Sequence, residues 1–326
     1  MDALLEGLSA AAEKTRLRIL TLCNESELSV SELTQILGQS QPRVSRHLKL
    51  MVRAGLLNRS REGTWAFYRI AESGDNCRLA DFLIKSLPAE DPARDRDLQR
   101  LDAVRQERTQ KAAEFFRQNA NDWDNIRRLH IDDEAVERAL EELLPIRSVW
   151  DHIDIGTGTG RILEVVAPFT RRAVGIDFSH EMLTVARSNL AKTELSNCRV
   201  CYGDMHQLEL EPESFDVATF HLALHYTDEP AFVIQEATRL LRAGGRLIIV
   251  DFAPHNETQL REEHAHRWLG FADEEVHNWL RIAGLEPTST THLAGHPLTV
   301  CLWAADRSGD TWRATNTPNR GVSSWF

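Results

Sequence analysis

From Val149 onward, short runs rich in β-branched residues, at 149–155, 173–177, 199–202, 216–220 and 246–252, alternate with stretches of helical periodicity. No other feature limits the chain so strongly. Strands of four to eight apolar residues separated by amphipathic helices can pair in parallel only through helical crossovers, and the helices must then cover the sheet faces. That alternation implies a parallel α/β sheet. Ahead of it, apolar residues recur at helical spacing over 4–22 and 33–57, then alternate across 57–70. That order predicts short helices followed by a β-hairpin.

Between the two patterns, LPAEDPARDRD at 87–97 has two prolines and dense charge, reading as a linker into a polar helix from about Asp95 to Gln118. The expected division is 1–87, a linker and connecting helix over 88–110, an α/β domain over 111–305, and a loose polar tail over 306–326. The formal charge of −11 hides an asymmetry: residues 1–87 hold 12 Lys/Arg against 10 Asp/Glu, the remainder 26 against 39. Within 41–69 stand Arg43, Arg46, Lys49, Arg53, Arg59, Arg61 and Arg69 beside one acid, Glu62. A basic island on an acidic chain suits a module that meets a phosphate backbone. Five scattered cysteines give no disulfide framework, and the N-terminal residues look unlike a secretory signal. A cytoplasmic protein with reduced thiols and no membrane association is expected, and no metal site.

Ser29 and Ser40 are placed to cap two short helices ending at Gly38 and Gly55. On the second, Val44, Leu48 and Met51 fall on one face and would pack inward with Leu56 and Leu57. Gln41, Arg43, Ser45, Arg46 and Lys49 are left outside, residue types suited to base edges and phosphates in a major groove. The hairpin turns at Glu62-Gly63 and puts Arg59 and Arg61 on one arm, a wing along the backbone. The segments TRLRILTLC and LSVSELTQILGQSQPRVSRHLKLMVRAGLL followed by this wing resemble ArsR/SmtB-type winged helix-turn-helix repressors over about the first 75 residues. The resemblance implies a homodimer on an operator of double-stranded DNA, with Gln41, Arg43, Ser45 and Arg46 reading the groove and His47 supporting a phosphate contact. Metal-sensing members carry Cys-x-Cys where this chain has Ser29 and Ser31, and hydroxyls are poor ligands for soft metals.

In the larger part, VWDHIDIG runs into Gly156-Thr157-Gly158-Thr159-Gly160 and then a helix. Glycines there let a ligand approach the backbone at the carboxyl end of the first strand. Asp154 precedes the turn, Asp177 ends the second strand at a distance suited to two ribose hydroxyls, and Asp204 ends the third, where a carboxylate could accept from an adenine amino group. DIGTGTG, GIDFSHEML, YGDM, FDVATFHLALHY and LLRAGGRLIIVDF together resemble class I S-adenosylmethionine-dependent methyltransferases. That resemblance implies a Rossmann-like α/β fold with a mostly parallel seven-stranded sheet, finished by an antiparallel edge from residues 285–292 and 297–304, and S-adenosylmethionine as cofactor, with S-adenosylhomocysteine as product or effector. Asp154 and Gly156, Thr157, Gly158 and Gly160 would hold its methionine part, Asp177 the ribose, Met182 one adenine face, and Asp204 with the Met205 backbone the adenine edge, with Phe178 also at the cofactor. His221 would lie close to the sulfonium, and Phe115, Phe116 and Trp123 would close over the site. As general base, if one is needed, His225 and Tyr226 are the candidates. Arsenite is the less expected acceptor: arsenite methyltransferases place a cysteine where Leu222 stands, and another in a segment matching 265–275, which has none here. Two functions follow: a small-molecule methyltransferase that autoregulates, or a transcriptional regulator that senses the cofactor through its methyltransferase fold.

Overall fold

The computed structural model describes residues 1–62, 65–71, 74, 76–88, 90–120, 133–145, 150–193, 195–295 and 297–309. The chain divides into two compact units, Met1–Glu114 with Asn256–Leu269, and Phe115–His255 with Gly270–Phe326. The excursion 256–269 was invisible to periodicity, because it is short and carries no strand.

In the first unit, the expected single amphipathic stretch over 4–22 is two helices, α1 (Asp2–Ala11) and α2 (Lys14–Glu25), broken where Glu13 accepts from the Arg16 amide at 3.1 Å and caps α2. α3 (Val30–Leu37) begins with a reciprocal capping box: the Ser29 amide donates to Glu32 at 2.8 Å and the Glu32 amide to the Ser29 hydroxyl at 3.3 Å. Gly38, at φ +63, turns the chain out of it. α4 (Gln41–Arg53) starts after Ser40, whose side chain makes no cap bond; Pro42 in the first turn supplies the preset φ instead. Val44, Leu48 and Met51 are fully buried, with Leu56 and Leu57 beside them. The hairpin β2 (Leu57–Glu62) and β3 (Trp65–Ile70) pairs with the short β1 (Leu28–Ser29) in the order β1-β3-β2. α5 (Cys77–Lys85) follows.

α6 (Pro92–Asn119) is more than a connector. Leu101 and Val104 belong to the first unit's core, Asp97 takes both ends of the Arg18 guanidinium at 2.5 and 2.6 Å, and Arg100 donates to the Ile36 carbonyl at 2.8 Å. The excursion contributes α11 (Gln259–Glu263), numbered after the helices of the second unit that precede it. Arg261 lies 4.2 Å and Arg267 5.6 Å from the centroid of the Phe67 ring on β3, and Arg267 also donates to the Glu27 carbonyl at 2.6 Å. Burial lowers the Arg261 pKa to about 9, helped by the neighbouring Arg267 charge.

The second unit holds α7 (Asp133–Leu143), β4 (Trp150–Ile155), α8 (Arg161–Val166), β5 (Thr170–Asp177), α9 (His180–Lys192), β6 (Cys198–Tyr202), β7 (Phe215–His221), α10 (Pro230–Leu240), β8 (Leu241–Phe252), α12 (Asp273–Ile282), β9 (Leu285–Leu293) and β10 (Val300–Arg307). The strands form one seven-stranded sheet in the order β6-β5-β4-β7-β8-β10-β9. β4 to β8 run parallel, and β10 is antiparallel to both β8 and β9, as the edge was expected to be. β4 is buried along its whole length, which is why its sequence shows little alternation. Order reverses between β4 and β7, so the carboxyl ends of β4, β5 and β7 open a crevice at a topological switch point. β10 continues through Arg307, because Arg246 holds Asp306 through two bonds of 2.7 and 2.9 Å. Residues 310–326 lie outside the described residues, as does Trp123. β6, which carries Cys198 and Cys201, is an edge strand of half-buried and exposed residues.

Candidate functional site

The crevice contains a cavity lined by Asp154, Gly156 to Thr159, Asp177, Phe178, Met182, Met205, His221, Leu222, Ala223 and Tyr226, with Phe116, Arg161 and Ile162. Register explains the convergence. Ile155 pairs with Ile176 on one side and Phe220 on the other, so the residues just before and beyond these three positions meet at one level. The turn after β4 requires glycine at Gly156, at φ +75, where a Cβ would stand 2.6 Å from the Ala223 Cβ. Gly160, at φ +84, starts α8. On the opposite wall Leu222 is a non-glycine residue at φ +54, held there by its amide bond to the Val250 carbonyl at 2.8 Å. Backbone strain of this kind concentrates at functional sites.

Asp154 is 1% exposed, and Thr219 donates to its Oδ1 at 2.6 Å. Its Oδ2 is buried without a hydrogen-bond partner among the described residues. Burial raises the Asp154 pKa to about 6, with the nearby Asp177 charge adding to the rise. His152 stands behind: its Nε2 lies 3.0 Å from the same Thr219 hydroxyl. Since that hydroxyl gives its proton to Asp154, His152 must donate through Nε2, and burial holds it neutral with a pKa lowered to about 3. Asp177 accepts from the Ser179 amide at 2.9 Å and the Gly158 amide at 2.8 Å, which ties β5 to the glycine turn. Its pKa is raised by burial, against the pull of those amides.

A buried carboxylate with an unused oxygen fits a cationic donor, and a second one with lone pairs left over fits paired hydroxyls. The glycine turn leaves room for a chain between them. These are the needs of an amino-acid head and a ribose. Apolar walls come from Met182, Met205 and Phe178, with Phe116 across the opening, 5.9 Å from Phe178 and 4.8 Å from Tyr226 between ring centroids. The cavity measures about 50 Å³, space for only a few water-sized groups.

Other residues singled out in the sequence stand elsewhere. Asp204 does not line the cavity: its carboxylate, 67% exposed, accepts from the His206 amide and ring Nδ1 at 2.9 and 2.8 Å, and that ring holds its pKa low. His225 is 1% exposed and lies behind Tyr226, with its Nδ1 2.8 Å from Asp251 Oδ1. Tyr226 alone of that pair reaches the cavity, and burial pushes its phenol far up. His152, Thr219 and Asp251 were missed, because a histidine or threonine inside an apolar strand carries no signal until the neighbouring strand is known.

On α4, Gln41, Arg43, Arg46 and Lys49 are exposed, and Ser45 is half-buried. His47 is turned to α2, 3.8 Å from Glu13, and burial lowers its pKa. Arg59 is exposed on β2; the Arg61 side chain lies outside the described residues.

Residues 13–59 match the bacterial regulatory protein family arsR, and residues 148–284 match a methyltransferase domain family. The chain joins an arsR-type helix-turn-helix to a methyltransferase domain. The helix-turn-helix is 47% identical over 60 residues to the arsenic resistance transcriptional regulator ArsR1 of Pseudomonas putida, covering 18% of this chain and 47% of the regulator. The methyltransferase domain is 30% identical over 105 residues to the methyltransferase YcgJ of Bacillus subtilis, 32% of this chain and 42% of YcgJ. The chain thus spans less than half the length of either relative. In fold it is similar to a chain of the complex between the Haloferax volcanii Trm112 methyltransferase activator and a methyltransferase, with a TM-score of 0.51, 19% identity, and coverage of 60% of this chain and 98% of that one. No helix among the described residues is long and apolar enough to cross a membrane.

Proposed function

We propose that the protein is a DNA-binding regulator whose methyltransferase domain binds S-adenosylmethionine or S-adenosylhomocysteine, and whose occupancy sets its affinity for an operator. One observation carries this reading. Asn256–Leu269, the chain between β8 and α12, packs inside the DNA-binding unit, on the wing strand residue Phe67. β8, immediately before it, carries Asp251, which grips His225 behind the cavity residue Tyr226. A ligand that favours one setting of the β8 end therefore acts on a segment built into the DNA-binding unit. Linkage asks only that it bind one setting better than the other.

On the ligand side, the unused oxygen of Asp154 takes the amino group, Asp177 the ribose hydroxyls, and Phe178, Met182 and Met205 the adenine. On the DNA side, Gln41, Arg43, Ser45 and Arg46 face the groove, with Lys49 and Arg59 toward phosphates. Leu4, Leu5 and Leu8 on α1 and Phe82 on α5 are large apolar side chains 41–65% exposed, which supports a homodimer through these helices. Such a regulator works in the cytoplasm.

A second reading, methylation of a small molecule, is favoured by Tyr226, which lines the cavity in front of the buried His225–Asp251 pair. The bound cofactor would supply an electrophilic methyl group. Asp251 accepts from the His225 ring Nδ1, which fixes that ring against Tyr226. Calorimetry of both ligands, with and without DNA from upstream of the protein's own gene, separates the readings. The regulator requires ligand affinity to change on DNA, and Phe67→Ala to shrink that change while both binding events persist. Equal affinities with and without DNA would remove it, and a methylated product from cell extract would support the second.

A further inference from the structure

Away from the cavity, three elements of the methyltransferase domain bring different donor atoms together. Asp273 opens α12, His292 stands on β9 and Cys301 on β10, and one ligand atom from each lies within 4.8 Å of the other two. His292 and Cys301 are direct partners in the antiparallel ladder, so their side chains leave the same face of the sheet. Trp303, two residues along that face, donates its indole N–H to Asp273 Oδ1 at 2.8 Å. The other carboxylate oxygen is then left 3.2 Å from His292 Nε2. None of the three residues lines the cavity.

We propose that Asp273, His292 and Cys301 form a site for a divalent transition metal of zinc-like preference, independent of the adenosyl cavity. One sulfur, one imidazole nitrogen and one carboxylate oxygen are the donor types that Zn²⁺ accepts, and three protein ligands leave a fourth position for water or another donor. Hard cations such as Mg²⁺ and Ca²⁺, which prefer all-oxygen sets, are disfavoured by the thiol. The indole bond to Asp273 is the kind of outer contact that orients a ligating carboxylate. Binding replaces the thiol proton: the S–H bond breaks, a metal–sulfur bond forms, and one proton passes to solvent. In the absence of a cation, burial and the charges of Asp273 and Asp251 keep the thiol protonated, with its pKa pushed up to about 12. Positions 273, 292 and 301 have none of the short spacings of metal motifs; sheet register brings His292 to Cys301, and packing of α12 brings Asp273 to both.

The test is titration of the full chain with Co²⁺ and with Zn²⁺ against a chromogenic chelator, at pH about 7.5. The expected result is one equivalent bound, a thiolate-to-cobalt absorption band and release of a proton. His292→Ala, at a half-exposed position that the fold tolerates, and Cys301→Ser should each weaken Zn²⁺ binding by more than the roughly ten- to hundredfold cost of losing an outer partner. S-adenosylhomocysteine binding should stay as in the parent, reporting that the domain is folded. Cys198→Ser and Cys201→Ser should leave the cobalt band in place. The proposal is overturned if no thiolate band forms, if the band survives Cys301→Ser, or if His292→Ala binds Zn²⁺ like the parent.

Discussion

On α4 the side chains offered to a partner stand in solvent: Gln41, Arg43, Arg46 and Lys49 are exposed, over a face sealed by Val44, Leu48 and Met51. In the cavity the arrangement is inverted. Asp154 and Asp177 are at most 9% exposed, and their neighbours, Thr219 and the Gly158 and Ser179 amides, are as important as the acids themselves. A surface that reads a polyanion needs only cations on a rigid helix, since water screens each one separately. A cavity must compensate every polar atom it buries, so its groups act together.

This contrast can be broken by mutation. The largest effect is expected at Asp177. Asp177→Ala removes two charge-assisted bonds to a ribose, each worth about 1.5–3 kcal/mol, so S-adenosylhomocysteine affinity should fall by roughly 10²–10⁴-fold in calorimetry while DNA affinity at zero ligand is kept. A loss below about tenfold would mean that the ribose is not held there. At the helix, Arg43→Ala or Arg46→Ala should each cost about 1–3 kcal/mol of operator binding and leave ligand affinity unchanged, measured by fluorescence anisotropy. Equal loss on operator and unrelated DNA would turn that arginine from a base reader into a phosphate contact.

The smallest effect sharpens the contrast through pH. Asp154 has its folded pKa raised above the ordinary carboxylate value of 3.8, to about 6. The folded state thus binds its proton more tightly than the unfolded chain does. The stability it contributes in protonated form is present below pH 3.8 and lost as pH rises through about 6. A cationic amino group needs the ionised carboxylate, so ligand affinity should be flat above pH about 7 and drop by roughly tenfold per unit below about 6. Asp154→Asn should flatten that profile.

Much of this was legible before any fold was known. Helix-turn-helix and wing followed from spacing, since one buried face and one bare face are what periodicity records. The glycine turn, Asp154 and Asp177 were legible because they sit where a strand meets a helix. Asp204 was read by the same logic, yet His206, only two residues away, takes its carboxylate. His225 was placed at the cavity by its position after β7, and the short turn Leu224–Tyr226 instead carries Tyr226 there and His225 behind it.

Local chemistry therefore determined, from the chain alone, which segments become helices and strands and which charges face water. Tertiary structure decided what depends on distance between strands: the His152–Thr219–Asp154 chain, the Asp251 grip on His225, the meeting of Asp273, His292 and Cys301, and the membership of 256–269 in the DNA-binding unit. The physical reason is that periodicity is fixed by bonds within a few residues, whereas register and docking are set by packing between segments separated by up to hundreds of residues.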